Sequence, residues 1–198
     1  KLENVEKLMF IICKSAIPTP EKSVSVVLEQ VSLFLGPGFV ISFQEGRSDI
    51  FASVKNRLQS QKGNIRSLGA DYLFYVLIDT LVDDMLSCIE ILGNDIERLE
   101  SKILTNPTND MPFIITNRKN DVALLRRSIK PLRDSLSLIE KSDKKELNSD
   151  IRKYFGDVHD HAVEAFEVLD GYYELLKDYM GLYQSVVSQK TNEVMRVL

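Results

Sequence analysis

The chain has 198 residues, 44% of them hydrophobic and 27% charged, with no low-complexity tract; it can bury a core, and a long disordered segment is excluded. A net charge of -4, with Lys and Arg spread among acids, lacks the basic footprint of a phosphate-backbone binder, so no nucleic-acid partner is expected. Cys13 and Cys88 lie in apolar runs without close Cys or His neighbours, which predicts reduced, buried thiols rather than a zinc site.

Residues 1–45 carry a β pattern. Leu8 to Cys13 is a short apolar run, Ser23 to Leu28 alternates ahead of a second run at Val31 to Leu35, and Gly36-Pro37-Gly38 turns the chain into Phe39 to Phe43. This predicts a meander or hairpin packed on another layer. Ser48-Asp49 offers an N-cap before Ile50, Phe51, Val54 and Leu58, so a helix of roughly four turns is expected to end near Gly63. From about Leu68 the period becomes helical: Val82, Met85, Ile89, Leu92, Ile96, Leu99 and Ile103 form a seam until Asn106-Pro107, which predicts one long helix over 68–104. A third helix is expected from near Phe113 through Val122, Leu125, Ile129 and Leu136, with Pro131 placed to kink it. Lys141 to Asp150 reads as a charged connector.

The last 48 residues read as one helix with two stripes. Ile151, Phe155, Val158, Ala162, Ala165, Leu169, Tyr172, Leu176, Tyr179, Tyr183 and Val187 form an apolar edge. Asp157, Asp160, Glu164, Glu167, Glu174 and Asp178 form a ribbon of carboxylates beside it, interrupted at Gly171. At 1.5 Å per residue this helix is about 70 Å long, more than a compact domain of this size can cover, so it is expected to project and to pack on copies of itself or on another long helix. No Gly, Pro or capping run closes it at Thr191 to Leu198, and the helix is expected to continue. The element order predicts an α+β fold: an α/β head with a small sheet plus a long helical stalk. No apolar stretch approaches the ~20 residues of a membrane span and no signal-peptide pattern opens the chain, so this fragment is expected to be soluble.

The best candidate site is Asp157, Asp160, His161 and Glu164: acids at i, i+3 and i+7 with an imidazole beside them offer hard oxygen donors for Mg2+ and one nitrogen for softer ions. The competing reading is a solvated face near a helix start, where acids also favour the positive dipole end. Asp79 lies among apolar residues with Asp83 one turn on, and such a carboxylate needs a partner; a buried salt bridge to Arg66 or Arg126 competes with an ion role. His159 is expected on a solvent-facing side. No nucleophile elbow, phosphate loop or H-E-x-x-H motif is present, and the chain is read as no enzyme.

These residues also carry a resemblance. Phe43-Gln44-Glu45, the run from Gly69-Ala70-Asp71-Tyr72 through Ile78-Asp79-Thr80-Leu81-Val82-Asp83-Asp84, Ile129-Lys130-Pro131-Leu132-Arg133, Tyr154-Phe155-Gly156-Asp157-Val158-His159-Asp160-His161, and Ser185 to Leu198 resemble, in order, the cytoplasmic domain of the CorA magnesium and cobalt transporters. The resemblance implies a homopentamer in the full-length protein, at the cytoplasmic face of the cell membrane, whose stalk continues into a pore-lining membrane helix. It implies a division into 1–67, the C-terminal part of the head; 68–150, the long head helices and the kinked helix; and 151–198, the stalk. Carried over, Asp157 is the stalk-side ligand of an intersubunit Mg2+ site, Asp79 belongs to a second nearby ion position, and Asp160 and His161 are outer-shell or softer-ion contacts. Asn192 is the polar ring at the pore mouth, and Met195 and Leu198 the apolar constriction above it.

The chain departs from the family's pattern in three ways. The acidic pair facing the stalk aspartate is expected upstream of Lys1; the membrane helices with their Gly-Met-Asn signature are absent; and Gly181 stands where some members carry an acid. The sequence is therefore read as the Mg2+-sensing and gating domain of a CorA-type channel for Mg2+ and Co2+, with Ni2+ or Zn2+ as further candidate ions. The alternatives are the cytoplasmic domain of a zinc-transporting member of the same superfamily, and a non-transporting helical assembly scaffold.

Overall fold

The computed structural model describes residues 2–5, 8–18, 26–46, 48–61, 63–141 and 147–197. Four antiparallel strands, β1 (Leu2–Val5), β2 (Leu8–Pro18), β3 (Val26–Gly36) and β4 (Phe39–Gln44), form a meander in chain order. The β3–β4 hairpin pairs Gly36 with Phe39, leaving Pro37-Gly38 as its turn. Gly38 has φ +82°, the conformation that the second central position of a proline-led turn requires and that glycine adopts freely. Alternation then sorts the sheet's faces. Met9, Ile11, Cys13, Val31, Leu33 and Leu35 are buried on the inner face, whereas Phe10 and Phe34, directly paired across β2 and β3, stack at 4.2 Å on the outer face.

The strand pattern corrects the sequence reading in two places. The runs at Ser23 to Leu28 and Val31 to Leu35 belong to a single strand, β3, with Ser23 to Ser25 lying outside the described residues. The polar pair that separates them, Glu29-Gln30, does not break the ladder, since Gln30 is paired with the exposed Lys14 and Glu29 accepts from Ser48 Oγ. β1 falls within the stretch read as β but was not singled out as a strand; its four residues are too few to show a period.

Four helices follow: α1 (Ala52–Gln59), α2 (Ala70–Thr105), α3 (Met111–Glu140) and α4 (Ser149–Val197). α1 is shorter than expected at both ends. Asp49 does not cap it with its side chain: its carbonyl accepts from Ala52 N–H at 3.0 Å and its carboxylate takes Lys55 Nζ at 2.6 Å. The expected α2 seam is buried throughout, from Val82 to Ile103. α3 begins at Met111 with Pro112 in its first turn, where the missing N–H costs nothing, and runs past Pro131 to Glu140.

α2 and α4 run in the same direction, with α3 returning antiparallel along α4. Tyr75 meets Tyr154, Gly93 meets Tyr172 and Glu100 meets Tyr179, the same 79 positions apart each time. On α4 the predicted edge from Ile151 through Tyr179 is buried apart from the half-buried Tyr172, while Tyr183 is half-buried and Val187 exposed. The constant offset explains that fade: α2 stops at Thr105, alongside the position where burial on α4 ends. Beyond it, α4 has no companion helix among the described residues.

Candidate metal-binding face between α2 and α4

The parallel α2–α4 pair brings Asp79 and Asp157 to one face. Tyr75, one turn before Asp79, touches the rings of Tyr154 (5.1 Å between centroids) and Phe155 (5.9 Å), and its hydroxyl donates to Asp79 Oδ2 at 3.4 Å. Tyr72 completes the aromatic cluster against Tyr75 and Tyr154. The Tyr75 hydroxyl is held well above its ordinary range, first by burial and then by the negative charge of Asp79, with Tyr72 and Asp157 adding to it. Burial also raises Asp79, and Asp83 adds to it, whereas the Tyr75 hydrogen bond, His161 and Arg57 pull the other way. Asp79 and Asp157 therefore both act on the Tyr75 hydroxyl and His161 acts on Asp79, with Asp157 and His161 exposed and Asp83 one turn further along α2.

The expected salt bridge is not there. Arg126 pairs with Asp170 and lies over the Tyr173 ring at 5.1 Å, and Arg66 is exposed. Asp79 keeps only the phenol donor and no ion pair among the described residues. The buried ion network lies elsewhere, where Arg118 bridges Asp95 on α2 and Asp121 on α3. Its sequence signal was the i, i+3 spacing of Arg118 and Asp121, but the α2 partner is set by tertiary packing.

Asp160 is turned away from Asp79. Its side chain is 84% exposed and lies 3.7 Å from His159 Nδ1, which is equally far from Glu140 Oε2 on α3. His159 is thus the more covered histidine, with 21% of its side chain exposed, contrary to the solvent-facing position expected for it. The end of α3 closes over that side of α4, a contact that helical spacing alone does not show. Glu164 and the rest of the acidic ribbon, Glu167, Glu174 and Asp178, are exposed. Among the described residues no three His, Cys, Asp or Glu side chains converge as a metal cage.

At the far end of α4, Asn192 is exposed and Met195 is 63% exposed, on the stretch that no other described helix covers; Leu198 lies outside the described residues. No described helix is long and apolar enough to cross a membrane.

The family of CorA-like Mg2+ transporter proteins matches this chain over residues 1–198. The chain belongs to the CorA family. The cobalt/magnesium transport protein CorA of Thermotoga maritima is 35% identical over 199 residues, covering all of this chain and 56% of that protein. The chain spans little more than half the length of the curated relatives it matches. The complete CorA magnesium transporter of Methanocaldococcus jannaschii superposes with a TM-score of 0.84 at 17% identity, over all of this chain and 61% of that one. The soluble domain of the same protein gives 0.81 at 16% identity over 94% of this chain and 73% of that one. At such identities the structures establish the shared CorA fold, an α+β head with a helical stalk.

Proposed function

We propose that this chain is the ion-sensing and gating part of a CorA-type divalent-cation channel, a homopentamer at the cytoplasmic face of the cell membrane, with Mg2+ as its physiological ion. The observation that carries this reading is the α2/α4 face: Asp79 and Asp157 both act on the Tyr75 hydroxyl, and neither has an ion pair among the described residues. Carboxylates left in that state are suited to a bridging cation, and hard oxygen donors suit Mg2+ and Co2+. Asp157 is the stalk-side ligand and Asp79 the second position, while Asp160, turned toward α3, acts outside the first ligand sphere. The chain is a transport component and not an enzyme.

The mechanism follows from charge. With cations between neighbouring subunits, facing carboxylates are bridged; without them, two unit charges ~6 Å apart at an effective dielectric of ~20 repel by about 3 kcal/mol at each of the interfaces. Empty sites therefore splay the stalks. The uncovered end of α4, with Asn192 and Met195, transmits that movement to the pore mouth, and an apolar ring there, to which the family resemblance also assigns Leu198, widens and wets. Zn2+ is the second reading, favoured by His161, whose imidazole is close enough to Asp79 to influence it.

The test uses the full-length channel. Asp157→Asn removes one charge and one bridging ligand per subunit, so closure by cytosolic Mg2+ is expected to weaken and to need higher Mg2+. Current is recorded as Mg2+ is stepped from low to high; closure over the parent's range would make Asp157 a solvated stalk residue and refute the assignment.

A further inference from the structure

α4 carries glycines at 156, 171 and 181, and two of them make room for nothing in this chain. A Cβ built on Gly171 or on Gly181 would meet no atom within 4 Å, whereas the one built on Gly93 runs into Tyr172. Glycine is the poorest helix former after proline, because its backbone has the most freedom to lose. With no contact in return, what Gly171 and Gly181 add to α4 is backbone freedom, and the neighbouring helices decide where that freedom can be used. Carried along the pair, the 79-residue offset between α2 and α4 sets Gly171 beside Leu92, in the middle of α2, and Gly181 beside Lys102, in its last turn. Around Gly171 the helix is clamped: Leu169 and Leu176 are buried, and α3 holds it through the Arg126–Asp170 ion pair and through Arg126 and Lys119 over the Tyr173 ring. Past Gly181 the grip fades. Leu182, Tyr183 and Val186 are half-buried, and every described residue from Val187 to Arg196 is exposed.

We propose that Gly181 is a hinge that divides α4 into an upper arm, 149–180, held by α2 and α3, and a lower arm, 182–197, whose angle to the upper arm is free to change. Gly181 is itself exposed, so water can satisfy the backbone groups that a bend loosens on that side of the turn. The 16 residues of the lower arm extend about 24 Å at 1.5 Å each. A kink of ~20° at its base therefore swings its far end by about 8 Å. Gly171, equally unfilled but clamped on both sides, has no such arm to move. For the proposed gating role, the hinge sets how far the lower arms travel when the upper arms splay. The hinge itself rests on α4 and its neighbours alone, and its failure would leave the assignment of Asp157 untouched.

The test measures distances in the 198-residue chain by double electron–electron resonance, with labelled chain diluted in unlabelled chain so that only distances within one molecule are read. Spin labels are placed at exposed positions: Ser101→Cys on α2 with Glu193→Cys on the lower arm, and Glu90→Cys on α2 with Asp178→Cys on the upper arm; Cys13 and Cys88 are buried and out of the label's reach. The upper-arm pair is expected to give one narrow distance, and the lower-arm pair a distribution spread over about 8 Å, the swing of the arm. Gly181→Ala is expected to remove most of that spread, and Gly171→Ala to leave it unchanged. Both variants fold, since nothing lies where the new methyl goes. A lower-arm distribution as narrow as the upper-arm one, a spread that survives Gly181→Ala, or equal narrowing by Gly171→Ala would overturn the hinge. So would loss of self-association in Gly181→Ala alone, read by sedimentation, because the glycine would then be the point of close approach for a second copy.

Discussion

The packing of α2 on α4 can be tested at one glycine. A Cβ placed on Gly93 would lie 2.2 Å from Tyr172 Oη and 2.8 Å from its Cζ, so the phenol must move before any side chain fits there. Gly93→Ala has two opposed effects. In a helix interior alanine is favoured over glycine by about 1 kcal/mol, and overpacking against a rigid ring costs about 1–3 kcal/mol. The expected net is a destabilisation of up to about 2 kcal/mol. In a Tyr172→Ala background the clash is gone and only the helix preference remains, so the same Gly93→Ala change is expected to stabilise by about 0.5–1 kcal/mol. The sign reverses with the partner present or absent. Urea unfolding of the four chains, run at several protein concentrations to separate folding from assembly, gives the coupling as a double-mutant cycle. If Gly93→Ala stabilises the parent as much as the Tyr172→Ala variant, the two helices do not approach here and the constant α2–α4 offset is wrong.

Two further outcomes follow from the core and the acidic face. Leu92, fully buried in the α2 seam, is expected to cost about 2–5 kcal/mol on Leu92→Ala, read as a fall in Tm of roughly 2–4 °C per kcal/mol; a loss below ~1 kcal/mol would place the seam against solvent. Asp79 has its folded-state pKa raised above the ordinary 3.8, chiefly by burial, so it supports the fold below that pH and this contribution is lost as pH rises through the folded value. Asp79→Asn is therefore expected to be more stable than the parent at pH 7 and equal to it near pH 3, measured by thermal unfolding across that range; equal stability at pH 7 would mean that the carboxylate is not desolvated.

The long helices were legible because their apolar stripes are continuous. A seam such as Val82 to Ile103, or Ile151 to Tyr179, buries one residue every three or four positions against a partner running alongside, so the helical period survives over many turns. The sheet was less legible because β1 is short and a polar pair interrupts the apolar pattern inside the long β3. Glu29-Gln30 looked like a break between strands although both residues stay in the β3 ladder, and β1 is too short to show alternation. α1 was misjudged at its start for a related reason. Asp49 has the composition of a cap, but its side chain is occupied by Lys55 and only its carbonyl meets the helix.

The polar partners follow a different logic, since helical spacing gives the face a residue occupies and not what the next helix places opposite. His159 looked exposed on α4 alone, and it is covered because α3 ends with Glu140 above it. Arg126 could have answered Asp79 by charge, but the antiparallel return of α3 sets it against Asp170 and the Tyr173 ring instead. Asp79 is left with a phenol hydrogen bond, desolvated and without a cationic side chain, beside Asp157 on the neighbouring helix. A structural role would be met more cheaply by a neutral side chain or by a paired one, because an unpaired, half-buried carboxylate costs stability that packing elsewhere must offset. A half-buried, unpaired carboxylate such as Asp79 costs the isolated fold stability that a mobile positive charge would return, and that is the property on which the proposed ion-sensing role draws.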